Sequence, residues 1–345
     1  MMARSLCAHD RLLVFAPHPD DETLAAGELI QTALAAGACM RVIFATDGDN
    51  NPWPQRWLER RWRIGVAERA HWGARRRSEA GEALFRLGLD VQRSAHFLHW
   101  PDQGLTDSLM RDDCAVDRLV EEIAAFAPTH LVLPTLADRH PDHSALRVML
   151  ELAVLRSGFN GIRLGYLVHA AKESAPGHRS VADAERQRRK QWAMQAYASQ
   201  MSLSRRRLLM LAARTEQFEV MPSPVPVPDG ASTILIPYRA RVHRRHELLL
   251  IVATRRDIRR WRVSLPLKGA HIADLPELAI DSSAGCFCVT LPVMADSILA
   301  VFSKVNRRGP RLLIFDDEPW YESAGTHAQA PVCEHAMPAG ALHDA

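Results

Sequence analysis

A chain of 345 residues, 47% of them apolar, has enough core-forming residues for two domains. No stretch approaches the ~20 consecutive apolar residues that a membrane-spanning helix needs, and Met1 to Asp10 hold no apolar h-region, so no signal peptide is expected. The formal net charge is only +3, and the six scattered cysteines (7, 39, 114, 286, 288 and 333) suggest no disulfide framework and a cytoplasmic setting.

The first two-thirds of the chain alternates strand and helix signals. An apolar run over 11–16 reads as a buried strand and leads into His18-Pro19-Asp20-Asp21-Glu22-Thr23. A helical pattern follows over about 23–37, then a β-branched strand over 41–46 that ends in Thr46-Asp47-Gly48. Next comes an arginine-rich insertion with tryptophans at 53, 57, 62 and 72, inside a helical pattern over about 57–88. A strand over 95–99, a helical pattern over 107–127 and a strand over 130–134 precede His140-Pro141-Asp142-His143. A helix over 142–157 and a strand over 163–169 complete the series. This order predicts an α/β fold: a Rossmann-like, mainly parallel sheet with helices on both faces. Ligands bind such sheets beyond the carboxyl ends of the strands, where both histidine–carboxylate clusters fall.

Pro222 to Gly230 cannot be helix, so 221–232 reads as a proline-rich linker between a catalytic domain (1–220) and an accessory domain (233–323). Apolar or alternating runs at 247–253, 261–267, 286–293, 298–305 and 311–315 predict a small all-β, sandwich-like domain. Residues 324–345, rich in Ala, His, Gly and Pro, read as a mobile tail.

His18 and Asp21 stand three apart where a strand turns into a helix, and His143 opens a later helix. Two histidines, one carboxylate and an open position make a catalytic zinc pattern, because structural zinc sites are closed by four protein ligands. Asp20 and His140 are left over, one beside each ligand group, as a base for water and an acid for a leaving group. The same ligand set also describes non-haem iron oxygenases. A non-catalytic alternative is a glycan-binding or adaptor protein, with the β domain holding a glycan or partner.

Phe15 to Leu24 and Arg139 to His143 resemble the two signature motifs of the LmbE/PIG-L family of zinc-dependent N-acetyl sugar deacetylases. Thr46-Asp47-Gly48, Arg76-x-x-Glu79, Pro101 to Leu105 and Gln195 to Gln200 also match, so the resemblance covers about residues 10–220. It implies one zinc ion per chain on His18, Asp21 and His143, with Asp20 as general base. It further implies a protonated His140 holding the oxyanion, Asp142 orienting His140, and Arg76 and Asp102 binding sugar hydroxyls or a phosphate. The tyrosine that assists the tetrahedral intermediate in some relatives is absent between Leu133 and Arg139. The expected reaction removes an N-acetyl group from an amino sugar or glycoconjugate and releases acetate.

Several residues keep two readings. Glu22 either supports the site or supplies negative charge to a helix start. Asp47 either touches substrate or forms a turn before Gly48. The tryptophans are core or lid residues, or a sugar-stacking platform. His96, His99, His130 and His169 fall in apolar runs and read as core residues. Arginine clumps at 75–77, 186–190, 205–207, 241–245 and 255–260 read as solvated faces or as contacts to an anionic substrate. They lack regular aromatic interleaving, so nucleic acid is not expected; peripheral membrane contact is open, and so is the oligomeric state.

Overall fold

Leu12 to Ala16 are buried on both faces, as a central strand of a covered parallel sheet must be. The computed structural model describes residues 6–169, 178–179, 183–222, 233–237, 245–265, 279–283, 286–290, 298–308, 315–316 and 318–323. In chain order the first part contains β1 (Arg11–Ala16), α1 (Asp21–Ala35), β2 (Cys39–Thr46), α2 (Pro52–Glu59), α3 (Val66–Leu87), α4 (Val91–Ser94), β3 (Ala95–Trp100), α5 (Leu105–Leu109), α6 (Cys114–Phe126), β4 (His130–Pro134), α7 (Pro141–Ser157) and β5 (Ile162–Tyr166). It continues with β6 (His178–Arg179), α8 (Ala184–Met194), α9 (Ala198–Ala212) and β7 (Gln217–Val220). The second part contains β8 (Thr233–Pro237), β9 (His246–Thr254), β10 (Ile258–Ser264), β11 (Ala279–Ser283), β12 (Cys286–Thr290), β13 (Ile298–Arg307) and β14 (Tyr321–Glu322).

The main sheet has the order β3-β2-β1-β4-β5-β7-β6. Strands β1 to β5 are parallel, and β7 runs antiparallel to β5. Strand order reverses between β1 and β4, the crevice where open sheets of this kind bind ligands. One core cluster joins the sheet to α1, α3, α8 and α9, and a second joins its other face to α5, α6 and α7. The expected α/β architecture with helices on both faces is therefore present.

The expected helix over 57–88 is two helices. Its break lies at Arg60, which adopts a left-handed φ of 52°, and α3 restarts at Gly65, where the Glu68 carboxylate accepts from the Gly65 N–H at 3.0 Å. The expected helix over 107–127 likewise divides into α5 and α6. Helices α8 and α9 were not expected, because their arginine-rich sequences mask the apolar period, and strand β7 was not expected, being only four residues long. A buried Lys190 anchors α8: its Nζ reaches Glu216 at 2.8 Å, and the Glu216 carboxylate accepts from the Glu28 and Leu29 N–H groups at the second turn of α1.

The C-terminal strands form two antiparallel sheets, β10-β9-β13-β14 and β11-β12-β8. The first does not stand apart from the N-terminal part. Leu249, Ile251, Ala253, Ala300, Phe302 and Trp320 belong to the same buried cluster as α5, α6 and α7. Asp142 to Val154 of α7 are buried without interruption, which requires cover on every side of the helix. Arg260 and Arg262 tie β10 to Asp113 and Asp107, so part of one arginine clump is structural. Residues 223–232, 311–314 and 324–345, on which the linker, one expected strand and the tail fall, lie outside the described residues, as do 241–244.

Candidate metal centre and catalytic cleft

The tips of β1 and β4 meet in a cleft of about 160 Å³. Pro17 and Pro19 stiffen the exit from β1, and Asp20 precedes α1 with φ 123°, a backbone conformation that non-glycine residues rarely hold. Three contacts hold it. Arg76 of α3 donates to the Pro19 carbonyl, the Asp20 N–H donates to Glu22 at 3.1 Å, and the Asp20 carboxylate lies 3.3 Å from Arg76. No capping hydrogen bond occupies the Asp20 carboxylate, which faces the cleft. Burial pushes that carboxyl up to about 7, against the pull of Arg76.

Arg76 reaches this position across Gly48. A Cβ there would fall 1.9 Å from Arg76 Nη1, which instead donates to the Gly48 carbonyl at 2.9 Å. Glu22 is fully buried and accepts from Tyr197 of α9 and from Thr23. Its role is thus support for the Asp20 backbone; burial raises its carboxyl despite these donors.

His18 and His143 converge on one oxygen. His18 Nδ1 and His143 Nε2 lie 3.2 and 3.1 Å from Asp21 Oδ2. The opposite nitrogen of each ring is backed by carboxylates. His18 Nε2 faces Asp102 at 3.2 Å and Asp142 at 3.3 Å, and His143 Nδ1 faces Asp138 at 3.1 Å. Carboxylates behind metal-ligating imidazoles fix the tautomer and aim the other nitrogen at the ion. His143 Nε2 is buried and makes no well-aligned hydrogen bond, its near neighbour being Asp21 Oδ2. His18, His140 and His143 also bring one nitrogen each within 4.8 Å of one another, and so do ligand atoms of Asp21, His143 and His169.

The electrostatics ask for a cation. Burial lowers the proton affinity of His143, but Asp138 and Asp21 outweigh it and raise it to about 10. His18 is raised likewise, burial being outweighed by its three carboxylate neighbours. Asp21 and Asp138 are held well below the usual carboxylate range, because the histidines overcome the cost of burial. Such a set, with carboxylates and histidines converging in a buried site, fits a divalent metal.

Two expected roles change. The Asp142 carboxylate accepts from the Gln103 N–H at 2.6 Å and the Leu105 N–H at 3.1 Å and faces His18, not His140. It is the Asp142 backbone N–H that donates to His140 Nδ1, at 3.2 Å. His140 is therefore a neutral ring with its proton on Nε2 and not an imidazolium. Burial and the charges of His18, His143 and His169 hold it well below the ordinary histidine range. Asp102 lines the cleft and is held there by facing His18 and accepting from the Asn50 N–H at 2.7 Å. Asp47 is drawn to Arg77 and to His99 at 3.0 Å and does not line the cleft.

Other contributors had been missed. Asp138 gathers the His140, Val168 and His169 N–H groups at 2.9, 3.1 and 3.2 Å, and its only sequence signal is its place two residues before His140. His169 follows the tip of β5 and packs 4.9 Å from His143, ring to ring. The sequence reads it as a core residue, although its place after a strand end matches that of the other histidines. Phe315, from the C-terminal part, lines the cleft 5.4 Å from the His169 ring, with Arg139 and Arg207 guanidinium groups 5.7 Å from its own ring. Gln200, Ser204 and Arg207 of α9 complete that wall. Among the described residues no tyrosine lines the cleft: Tyr166 donates to the Phe15 carbonyl at 2.7 Å, and Tyr197 to Glu22. Of the insertion's tryptophans only Trp72 is core; Trp53, Trp57 and Trp62 are exposed.

A family profile described as PIG-L: GlcNAc-PI de-N-acetylase matches residues 13–154. A 1D-myo-inositol 2-acetamido-2-deoxy-alpha-D-glucopyranoside deacetylase of Mycobacterium sp. (strain KMS) is 32% identical over 163 residues, 43% of this chain and 51% of its own. The chain thus spans about half the length of the curated relatives it matches. The solved 4-carboxy-2-hydroxymuconate hydratase of Pseudomonas putida KT2440 superposes with a TM-score of 0.50 at 19% identity, over 63% of this chain and 98% of that one, which shows a shared fold alone. The N,N'-diacetylchitobiose deacetylase of Pyrococcus horikoshii superposes with a TM-score of 0.48 at 20% identity, over 62% and 84%. The likeness to the PIG-L family thus lies in residues 13–154, less than half of this chain.

Proposed function

We propose that this chain is a metal-dependent hydrolase that removes the N-acetyl group from an amino sugar or glycoconjugate. The observation that carries the reading is the buried convergence of His18 Nδ1 and His143 Nε2 on Asp21 Oδ2, beside an Asp20 carboxyl that faces the cleft. A binding module needs neither group. The deacetylase names of the sequence relatives support the same class. His18, Asp21 and His143 would hold one zinc ion, which when bound polarises an acyl carbonyl and acidifies water.

The chain's own residues do the rest. Asp20, fixed by Arg76 and Glu22, accepts a proton from water as the water oxygen bonds to the acetamide carbon. The His140 Nε2–H donates to the oxygen that gains charge. The C–N bond then breaks, the Asp20 proton passes to the departing nitrogen, and acetate and a free amine leave. Asp142 and Asp138 keep His18 and His143 in their ligating tautomers. Asp102 backs His18 and presents its remaining edge to substrate, and Arg76 acts on substrate through Asp20.

Residues 1–220 hold the chemistry in this reading, and 233–323 supply Phe315 to the cleft wall. Arg207, exposed at the mouth and 3.3 Å from His169, favours an anionic substrate. Among the described residues no helix is long and apolar enough to cross a membrane, and Cys7, Cys39 and Cys114 are free thiols, in keeping with a cytoplasmic enzyme. Acetate release from a panel of N-acetylated sugars, glycosides and nucleotide sugars tests the reading. Zinc-dependent release that chelator and Asp20→Asn abolish is expected; no release from any member by zinc-loaded protein contradicts it.

A further inference from the structure

We propose that α2, the loop after it and the outer face of α9 form a membrane-docking surface that seats the cleft mouth on an anionic lipid bilayer. Trp53, Arg56 and Trp57 stand at i, i+3 and i+4 and so share one side of α2, and Arg60 follows its end. Trp53 is 63% exposed, Trp57 67% and Trp62 83%. Arg56 gathers them: its guanidinium sits 5.1 Å from the Trp53 ring, and its Nε donates to the Trp62 carbonyl at 3.0 Å. One exposed tryptophan is ordinary; three within ten residues, bordered by exposed Leu58 and Val66, form an apolar patch that calls for a partner.

Charge names the partner. Residues 52–68 carry Arg56, Arg60, Arg61 and Arg63 against Glu59 and Glu68, of which Glu68 pairs with Arg61 at 3.1 Å. The adjacent α9 carries Arg205, Arg206 and Arg207 and no acid, with exposed Leu203 before them and exposed Met210 after them. Indole rings at headgroup depth, flanked by arginines that seek anionic lipid, are what such a surface presents. A glycan fits less well. Sugar platforms set carboxylates or amides beside the ring, yet Gln55 is buried against Glu59 and the Glu68 carbonyl. A second copy would set this cationic face against itself.

The patch adjoins the cleft. Asn51 caps α2 and lines the cleft, and α9, which packs on α2, contributes Gln200, Ser204 and Arg207 to it. Docking therefore brings the mouth to the headgroup layer. The inference does not depend on which reaction the cleft performs.

Sedimentation of the full chain with vesicles tests it. One set is phosphatidylcholine alone; the other adds about 30% phosphatidylglycerol, and at least about tenfold more protein is expected on the anionic set. That binding should fall steeply from about 50 to about 500 mM salt. Trp53→Ser/Trp57→Ser/Trp62→Ser should abolish it, and brominated lipid should quench wild-type emission more than that of the variant. Arg60→Glu/Arg63→Glu should erase the anionic preference. Both variants change exposed side chains, and unchanged circular dichroism and melting confirm that they fold. Equal binding to the two vesicle sets, or a triple variant that binds like wild type, overturns the proposal. So does a wild-type dimer that the triple variant dissolves, or quenching by chito-oligosaccharides in a protein that ignores vesicles.

Discussion

The floor of the cleft and its rim are built in different ways. The floor is a set of buried and half-buried polar groups that follow the tips of β1, β4 and β5: His18, Asp20, Asp21, Asp138, His140, Asp142, His143 and His169. Its parts hold one another, carboxylate behind imidazole, and rigid strand ends fix their spacing. The rim comes from α2, from α9 and from Phe315 of the C-terminal part, and it is largely exposed arginine and aromatic surface. The difference separates two tasks. Chemistry needs groups held closely with tuned protonation, whereas recognition needs area and charge that reach outward.

If that division is right, floor variants strike turnover and rim variants strike binding. The largest effect belongs to Asp20→Asn, expected to cut kcat by about 10²–10⁴ with metal content unchanged in elemental analysis. His143→Ala should remove a ligand. Zinc at a hundredfold excess over its dissociation constant should stabilise the wild type by about 2.7 kcal/mol and leave this variant's melting temperature unmoved. Tyr197→Phe deprives buried Glu22 of a donor. A loss of about 1–3 kcal/mol in denaturant unfolding is expected, with kcat falling and KM steady. Phe315→Ala is a rim change: KM should rise up to about tenfold with kcat nearly unchanged in steady-state kinetics. A fall in kcat alone would move Phe315 into the floor. The smallest effect is Arg207→Gln, which should weaken phosphorylated substrates by a few-fold in kcat/KM and spare neutral ones.

The same division explains what could be read from the sequence. Floor residues sit beside apolar strands that announce themselves, so His18, Asp20, Asp21, His140 and His143 were legible as one cluster, and with them the parallel sheet. What the motif does not encode is which atom each residue turns to its neighbour. Asp142 was expected to hold His140 with its carboxylate, and it does so with its backbone N–H, because Pro141 starts α7 and puts that N–H over the ring. Arg76 was expected to face substrate; it lines the cleft, and Gly48 opens the space that also lets it hold Asp20 and Pro19. Rim residues had no such signal. Phe315 lies 172 positions from His143, and only the packing of β9 and β13 on the α7 side of the core brings that part of the chain to the cleft. Helix α9 bends at Ser204, which breaks the period that would have disclosed it.

The central claim is that water, deprotonated at Asp20, attacks an acetamide held over the His18–Asp21–His143 centre. Reaction of the zinc-loaded wild type with an N-acetylated amino sugar in ¹⁸O-water, followed by mass analysis of the acetate from a single turnover, tests it most directly. One labelled oxygen in the acetate, formed by the wild type and not by Asp20→Asn, is the predicted result. Unlabelled acetate, or labelled acetate formed equally well by Asp20→Asn, would contradict the account.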